Sequence, residues 1–165
     1  MTSTPSQDPA DPSDSPAEGT YLNKGISSAL TPGSTFKLVT LAAAIDTMPD
    51  IYNRSYTCSG SIDIGGDTIN CTGVHGTQDI YGALANSCNC AFGELAVSVG
   101  AEKLKECADR AGLTSAGMFD GIPTGAGWIE VQDDAPANLA WAGIGQHTDT
   151  VNPAAFLRYI GAIAN

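Results

Sequence analysis

Behind a Pro32-Gly33 break, apolar residues recur at helical spacing: Leu38, Leu41, Ala42 and Ile45. This pattern predicts a helix over 34–47, with its apolar side on those four residues and a stop at Pro49 and Asp50. The period then changes to two. "SIDI" and "DTIN" alternate about Gly65-Gly66, which predicts a β-hairpin within 56–72. Cys58 and Cys71 flank its strands, and both a disulfide and a pair of free thiols remain open for them. Helical periodicity returns over 77–85, breaks at "NSCN", and resumes from Cys90 to Gly100. "AEKLKECADRAG" places Leu104, Cys107, Ala108 and Ala111 on one face and ends at Gly112. Residues 113–137 read as Gly- and Pro-rich loop, and Pro153 opens a last helix with Asn152 as its N-cap.

The elements amount to a mainly α fold with a small β-hairpin. Strands and helices do not alternate as they would to build a central parallel sheet. Residues 1–20, rich in Ser, Pro and Asp, are expected to be extended or disordered, because they offer little apolar area to bury. Residues 21–165 form the structured part. A hydrophobic fraction of 42% in 165 residues supports a packed core. The net charge of -11 argues against nucleic-acid or anionic-membrane partners, since phosphates would be repelled. The first residues have neither the basic start nor the apolar stretch of a signal peptide, and no apolar run reaches the roughly 18 residues of a membrane helix. Five cysteines, an odd number, leave at least one unpaired within the chain. Their spacing does not read as two CxxC knuckles, so no metal site is expected, including one from Cys58, Cys71 and His75.

Chemistry concentrates in the first turn of the 34–47 helix. Ser34 and Lys37 are three residues apart and share a helix face. A serine hydroxyl becomes nucleophilic when a base takes its proton. A lysine can be that base when burial and the positive end of a helix dipole disfavour its ammonium form. The competing reading makes Ser34 a helix cap and Lys37 a solvated residue. A second cluster, Ser87-Cys88-Asn89, falls at the break between two helices. In extended backbone its outer residues point the same way, so Ser87 and Asn89 face one cleft. Its competing reading is a cap built from Asn86 or Ser87. His147 in "GQHTDT" and His75 in "VHG" are expected to be a solvated loop residue and a structural hydrogen-bonding residue.

"PGSTFK" followed by "SCN" resembles the SxxK and SxN elements of the penicillin-recognising serine enzymes. Together with "WAGIGQHTDTVNPAAFLRYIGAIAN", the likeness points to the transpeptidase domain of class B, monofunctional penicillin-binding proteins. The resemblance implies that Ser34 attacks the D-Ala–D-Ala bond of a peptidoglycan stem peptide and that Lys37 takes its proton. It implies that Ser87 passes a proton to the leaving amine and that Asn89 holds the substrate amide. A β-lactam would acylate Ser34, no cofactor is needed, and other cell-wall synthesis proteins are potential partners. The full-length protein is expected at the outer face of the bacterial cytoplasmic membrane.

The resemblance is incomplete. None of Lys24, Lys37, Lys103 and Lys105 is followed by the Thr/Ser-Gly of the family's third motif. The chain therefore reads as the helical part of a transpeptidase-like α+β fold, with the central sheet largely absent. By itself it is expected to be a weak or inactive catalyst. Alternatives of other classes are a β-lactam sensor or binding module, a class D-like serine β-lactamase, and a non-catalytic fragment.

Overall fold

The computed structural model describes Ala10 and residues 18–165. The Ser/Pro/Asp-rich stretch therefore lies almost wholly outside the described residues. Helix α1 (Lys24–Ser27) is capped by the Asn23 side chain. A 3₁₀ turn, Gly33–Phe36, runs directly into α2 (Lys37–Thr47). Strands β1 (Tyr56–Cys58), β2 (Ser61–Ile64), β3 (Asp67–Asn70) and β4 (Gly76–Gln78) follow. Then come α3 (Ile80–Ala85), α4 (Asn89–Val99) and α5 (Ala101–Arg110), the short β5 (Met118–Phe119) and β6 (Ile122–Pro123), α6 (Pro136–Gly143) and α7 (Pro153–Ala164).

The expected hairpin is present as β2–β3, antiparallel, with Ser61 opposite Asn70 and Ile64 opposite Asp67. Gly65 and Gly66 both have positive φ, 60° and 91°, as a two-residue turn of this hand requires. Two further antiparallel pairs, β1–β4 and β5–β6, form separate two-stranded sheets. The first corrects the sequence reading of 77–85: residues 76–78 are strand, and α3 starts only after Asp79, whose carboxylate accepts from Gly82 N–H. The expected hairpin span 56–72 is likewise divided, because Cys58 pairs with Gly76 rather than across β2–β3. Helix α6 and the β5–β6 pair lie in sequence from which no regular element was expected.

Helix α4 is the centre. Cys90, Ala91, Phe92, Gly93, Leu95, Ala96 and Val99 are all buried, so several of its sides are covered. Gly93 lets the hairpin lie close: a Cβ there would be 3.3 Å from Ile69 Cδ1. One turn further along α4, Gly143 of α6 faces Ala96, and a Cβ at Gly143 would run into it. The Gly143 carbonyl also accepts from the buried Thr40 hydroxyl at 2.7 Å, which joins α6 to α2.

The buried face of α2 is Val39, Thr40, Ala43 and Ala44, preceded by Phe36 and Lys37. The expected face is displaced by about one position. Leu38, Leu41 and Ala42 are half-buried and Ile45 is exposed. The cause is contact with α4 and α5, whose close approach is met by the smaller residues of α2 rather than by its leucines. Helix α5 agrees with expectation on Leu104, Cys107 and Ala108. So does α7, where Asn152 Oδ1 accepts from the N–H groups of Ala154 and Ala155 at 3.1 and 3.2 Å. The Asn152 amide nitrogen also donates to the Ser28 carbonyl at 2.9 Å, tying α7 to the segment after α1. No helix among the described residues is long and apolar enough to cross a membrane.

Candidate active site

Three pieces of chain converge on one amine. The first is the 3₁₀ turn that carries Ser34. Thr35 donates its hydroxyl to the Pro32 carbonyl at 2.7 Å, and the Lys37 N–H donates to the Ser34 carbonyl. In such a turn residues i and i+3 are eclipsed, so Ser34 sits over the start of the Lys37 side chain. The sequence reading put both residues on one α-helix; the structure divides them between a 3₁₀ turn and the first α-helical residue. Ser34 makes no cap hydrogen bond, and its side chain is exposed. Lys37 is only 1% exposed. The cap-and-solvated-lysine alternative therefore fails at both residues.

The second piece is the break between α3 and α4. Lys37 Nζ donates to the Ser87 carbonyl at 2.6 Å, to Ser87 Oγ at 2.9 Å and to Asn89 Oδ1 at 2.7 Å. Ser34 Oγ lies 3.5 Å from the same nitrogen. Ser87 and Asn89 do share one cleft, though not through extended backbone. Ser87 is left-handed at φ 49°, Cys88 is extended, and Asn89 is the first residue of α4. A non-glycine residue in that region is strained by roughly 1–3 kcal/mol, and such strain recurs at functional sites. Asn86 closes α3, whereas Ser87 caps neither helix.

The third piece lies beneath and behind. The Phe92 ring, one turn into α4, has its centroid 5.7 Å from Lys37 Nζ, within cation–π range. Asn89 Nδ2 donates to the Asn70 carbonyl at 2.9 Å, so the end of β3 orients this amide. One Nδ2 hydrogen and one Oδ1 lone pair of Asn89 remain for a ligand. Behind the serine, Gly33 N–H donates to the Gly145 carbonyl at 3.0 Å, and Gly145 packs on the Gly33 carbonyl and Phe36.

Burial is the main influence on the Lys37 amine and holds it below the usual lysine range; negative charge on the sulfurs of Cys71 and Cys88 acts in the opposite direction. An amine so placed is easier to deprotonate than a free lysine and lies next to an exposed hydroxyl. The arrangement can activate Ser34 as a nucleophile, and Ser87 Oγ, 2.9 Å from the same amine, can act as a second proton carrier.

The histidines stand apart from this cluster. His147 is half-buried on a loop, with Nδ1 3.1 Å from the hydroxyl of the exposed Thr148. His75 Nδ1 lies 3.6 Å from Cys71 Sγ. Phe92 and the Asn70 carbonyl were not identified from sequence. A phenylalanine in an apolar helix carries no signal that a cation will lie over it, and a backbone carbonyl carries none at all.

The "Penicillin binding protein transpeptidase domain" family matches residues 1–165. The chain is 36% identical over 107 residues to Stage V sporulation protein D of Bacillus subtilis, covering 63% of this chain and 17% of that protein. It is 30% identical over 159 residues to the peptidoglycan D,D-transpeptidase PbpA of Mycobacterium tuberculosis, covering 92% of this chain and 32% of that protein. A ceftriaxone acyl-enzyme complex of M. tuberculosis penicillin-binding protein A superposes with a TM-score of 0.85 at 28% identity, covering 99% of this chain and 41% of that one. The D,D-transpeptidase domain of a peptidoglycan glycosyltransferase from Eggerthella lenta gives 0.79 at 26%, covering 91% and 40%. The chain thus spans less than half the length of each of these relatives.

Proposed function

From the premise that the chain belongs to the penicillin-binding protein transpeptidase domain family, in its class B branch, we propose that Ser34 is its acylated serine. Ser34 Oγ attacks the carbonyl carbon of the D-Ala–D-Ala amide in a peptidoglycan stem peptide. The hydroxyl proton passes to Lys37 Nζ as the C–O bond forms. The C–N bond then breaks, and Ser87 Oγ relays a proton from Lys37 to the departing amine. Asn89 holds the substrate's amide with its remaining donor and acceptor. The N–H of Ser34, in the opening turn of a helix where amides lack helical acceptors, is one donor to the oxyanion. A β-lactam follows the same first step and leaves an acyl group on Ser34 when its ring opens. The full-length protein acts at the outer face of the cytoplasmic membrane.

The observation that carries this reading is the buried amine of Lys37, held by Ser87 and Asn89 beside an exposed serine. The 165 residues contain no Lys-Thr/Ser-Gly sequence, and acylation of this chain is expected to be slow. The family resemblance implies that the strand carrying that motif supplies the second oxyanion donor, and absence of one such donor lowers rates by roughly 10²–10³. Prolonged incubation with a fluorescent penicillin, followed by peptide mass mapping, should place one adduct on Ser34 and none in Ser34→Ala. No adduct on Ser34, or an adduct that survives in Ser34→Ala, overturns the reading.

A further inference from the structure

Four of the five cysteines meet directly behind the Ser87–Asn89 pair. Cys58 comes from the end of β1, Cys71 from just after β3, and Cys88 and Cys90 from the start of α4. No two of their sulfur atoms are more than 4.8 Å apart. Cys58 Sγ is 3.4 Å from Cys90 Sγ, and Cys71 Sγ is 3.9 Å from Cys88 Sγ. Cys58, Cys88 and Cys90 are fully buried and Cys71 is half-buried, so the cluster is nearly closed to water.

Zinc binds thiolate sulfur at about 2.3 Å, and a regular tetrahedron of that radius has edges of about 3.8 Å. The four sulfurs already lie close to that spacing. Two disulfides would require a different figure, with two contacts near 2.0 Å and a less even set of distances between the pairs. The surroundings also suit thiolates. The Asn89 N–H points at Cys71 Sγ from 3.2 Å, and His75 Nδ1 is 3.6 Å from the same sulfur. Such outer contacts orient metal-bound thiolates and spread their charge. Cys107, the fifth cysteine, is buried elsewhere and bonds the Val39 carbonyl.

We propose that Cys58, Cys71, Cys88 and Cys90 form a tetrathiolate site for one Zn²⁺. Four sulfur ligands and a closed, four-coordinate arrangement select a soft, tetrahedral cation and leave no position for a water. The role is structural. The ion joins β1, the end of β3 and the start of α4, and because Cys88 and Cys90 flank Asn89, it pins the strained Ser87–Asn89 segment against Lys37. The effect on Ser34 acylation rests on the acyl-transfer reading; the binding of zinc does not.

The test is the metal content and cobalt spectrum of the whole chain, purified with its thiols reduced. One zinc per chain is expected, and Co²⁺ should give thiolate-to-cobalt charge-transfer bands with intense tetrahedral ligand-field absorption. Cys107→Ser should keep both, whereas Cys58→Ser and Cys90→Ser should bind zinc at least about 100-fold more weakly. Should those two variants fail to fold, alkylation of the unsubstituted chain decides. Zinc should protect four cysteines and leave Cys107 to react on unfolding, as read by peptide mass mapping. Failure of the reduced chain to take up zinc, or cobalt bands without sulfur charge transfer, overturns the proposal. So does a pair of disulfides whose reduction restores no metal binding. Loss of Ser34 labelling with zinc still bound would count against the acyl-transfer reading and leave the metal site standing.

Discussion

Lys37 shows how one residue's chemistry depends on where its neighbours place it. A solvated lysine at a helix N-terminus would keep its proton at neutral pH. Here burial lowers its affinity for that proton, while three oxygen acceptors and the Phe92 ring keep the amine in place. The sign of the pH effect follows. With Lys37 as the base of the proposed acylation, the rate should rise with pH and level off with a midpoint below the free-lysine value of 10.5. Timed labelling by a fluorescent penicillin across pH 5–10 checks this. A rate still rising nearly tenfold per pH unit up to pH 10, with no sign of levelling, would remove Lys37 from the role of base. Lys37→Arg keeps a positive charge and cannot give it up, and should slow labelling roughly 10²–10⁴-fold, the usual worth of a positioned general base. The Ser-x-x-Lys spacing was legible from the sequence because i and i+3 must meet on a helical turn. The burial of the amine was not, since Phe92 and Ser87 reach it from a helix and a break fifty or more residues away.

Among the elements, the turn before α2 depends on a distant loop. Gly145 has φ +73° and lies against the Gly33 carbonyl, with Phe36 Cβ 2.9 Å from where its own Cβ would stand. Gly145→Ala meets both a strained backbone and a blocked position. It should cost about 1–3 kcal/mol and shift the Ser34 turn away from Lys37. The expected result is slower Ser34 labelling together with a lower Tm, and an unchanged labelling rate would show that the loop does not position the serine. The α2 face illustrates what periodicity leaves open. Its larger apolar residues suggested a face on Leu38, Leu41, Ala42 and Ile45, yet Val39, Thr40, Ala43 and Ala44 are the buried ones. Periodicity identifies a helix. Which of its apolar residues turn inward is set by how closely its neighbours approach, and Gly143 and Ala96 make that approach tight between α6 and α4. The hairpin and the last helix were legible because their signals are local: Gly65-Gly66 between alternating strands, and Asn152 before Pro153.

Across the whole molecule, one buried charge should govern how stability varies with pH. Asp149 is fully buried, and neither carboxylate oxygen has a hydrogen-bond partner among the described residues. Burial pushes its pKa from 3.8 to about 7. Folded chains then hold a proton that unfolded chains have lost, so stability should fall as pH rises from about 4 to 7 and stay low above that. At about 1.4 kcal/mol per pH unit the loss amounts to a few kcal/mol. Asp149→Asn should remove most of this dependence and raise Tm at pH 8, as thermal melts at pH 4.5 and 8 would show; equal pH slopes for both proteins would refute it. By itself the sequence determined the helices α2, α4, α5 and α7, the hairpin, the Asn152 cap and the pairing of Ser34 with Lys37, because each is written in residues only a few positions apart. The tertiary structure alone decided which lysine atoms lose their water, that Ser87 and Asn89 grip the amine, and that four cysteines from three elements share one pocket. Those properties come from close approach between distant segments, and approach depends on how the helices pack around α4.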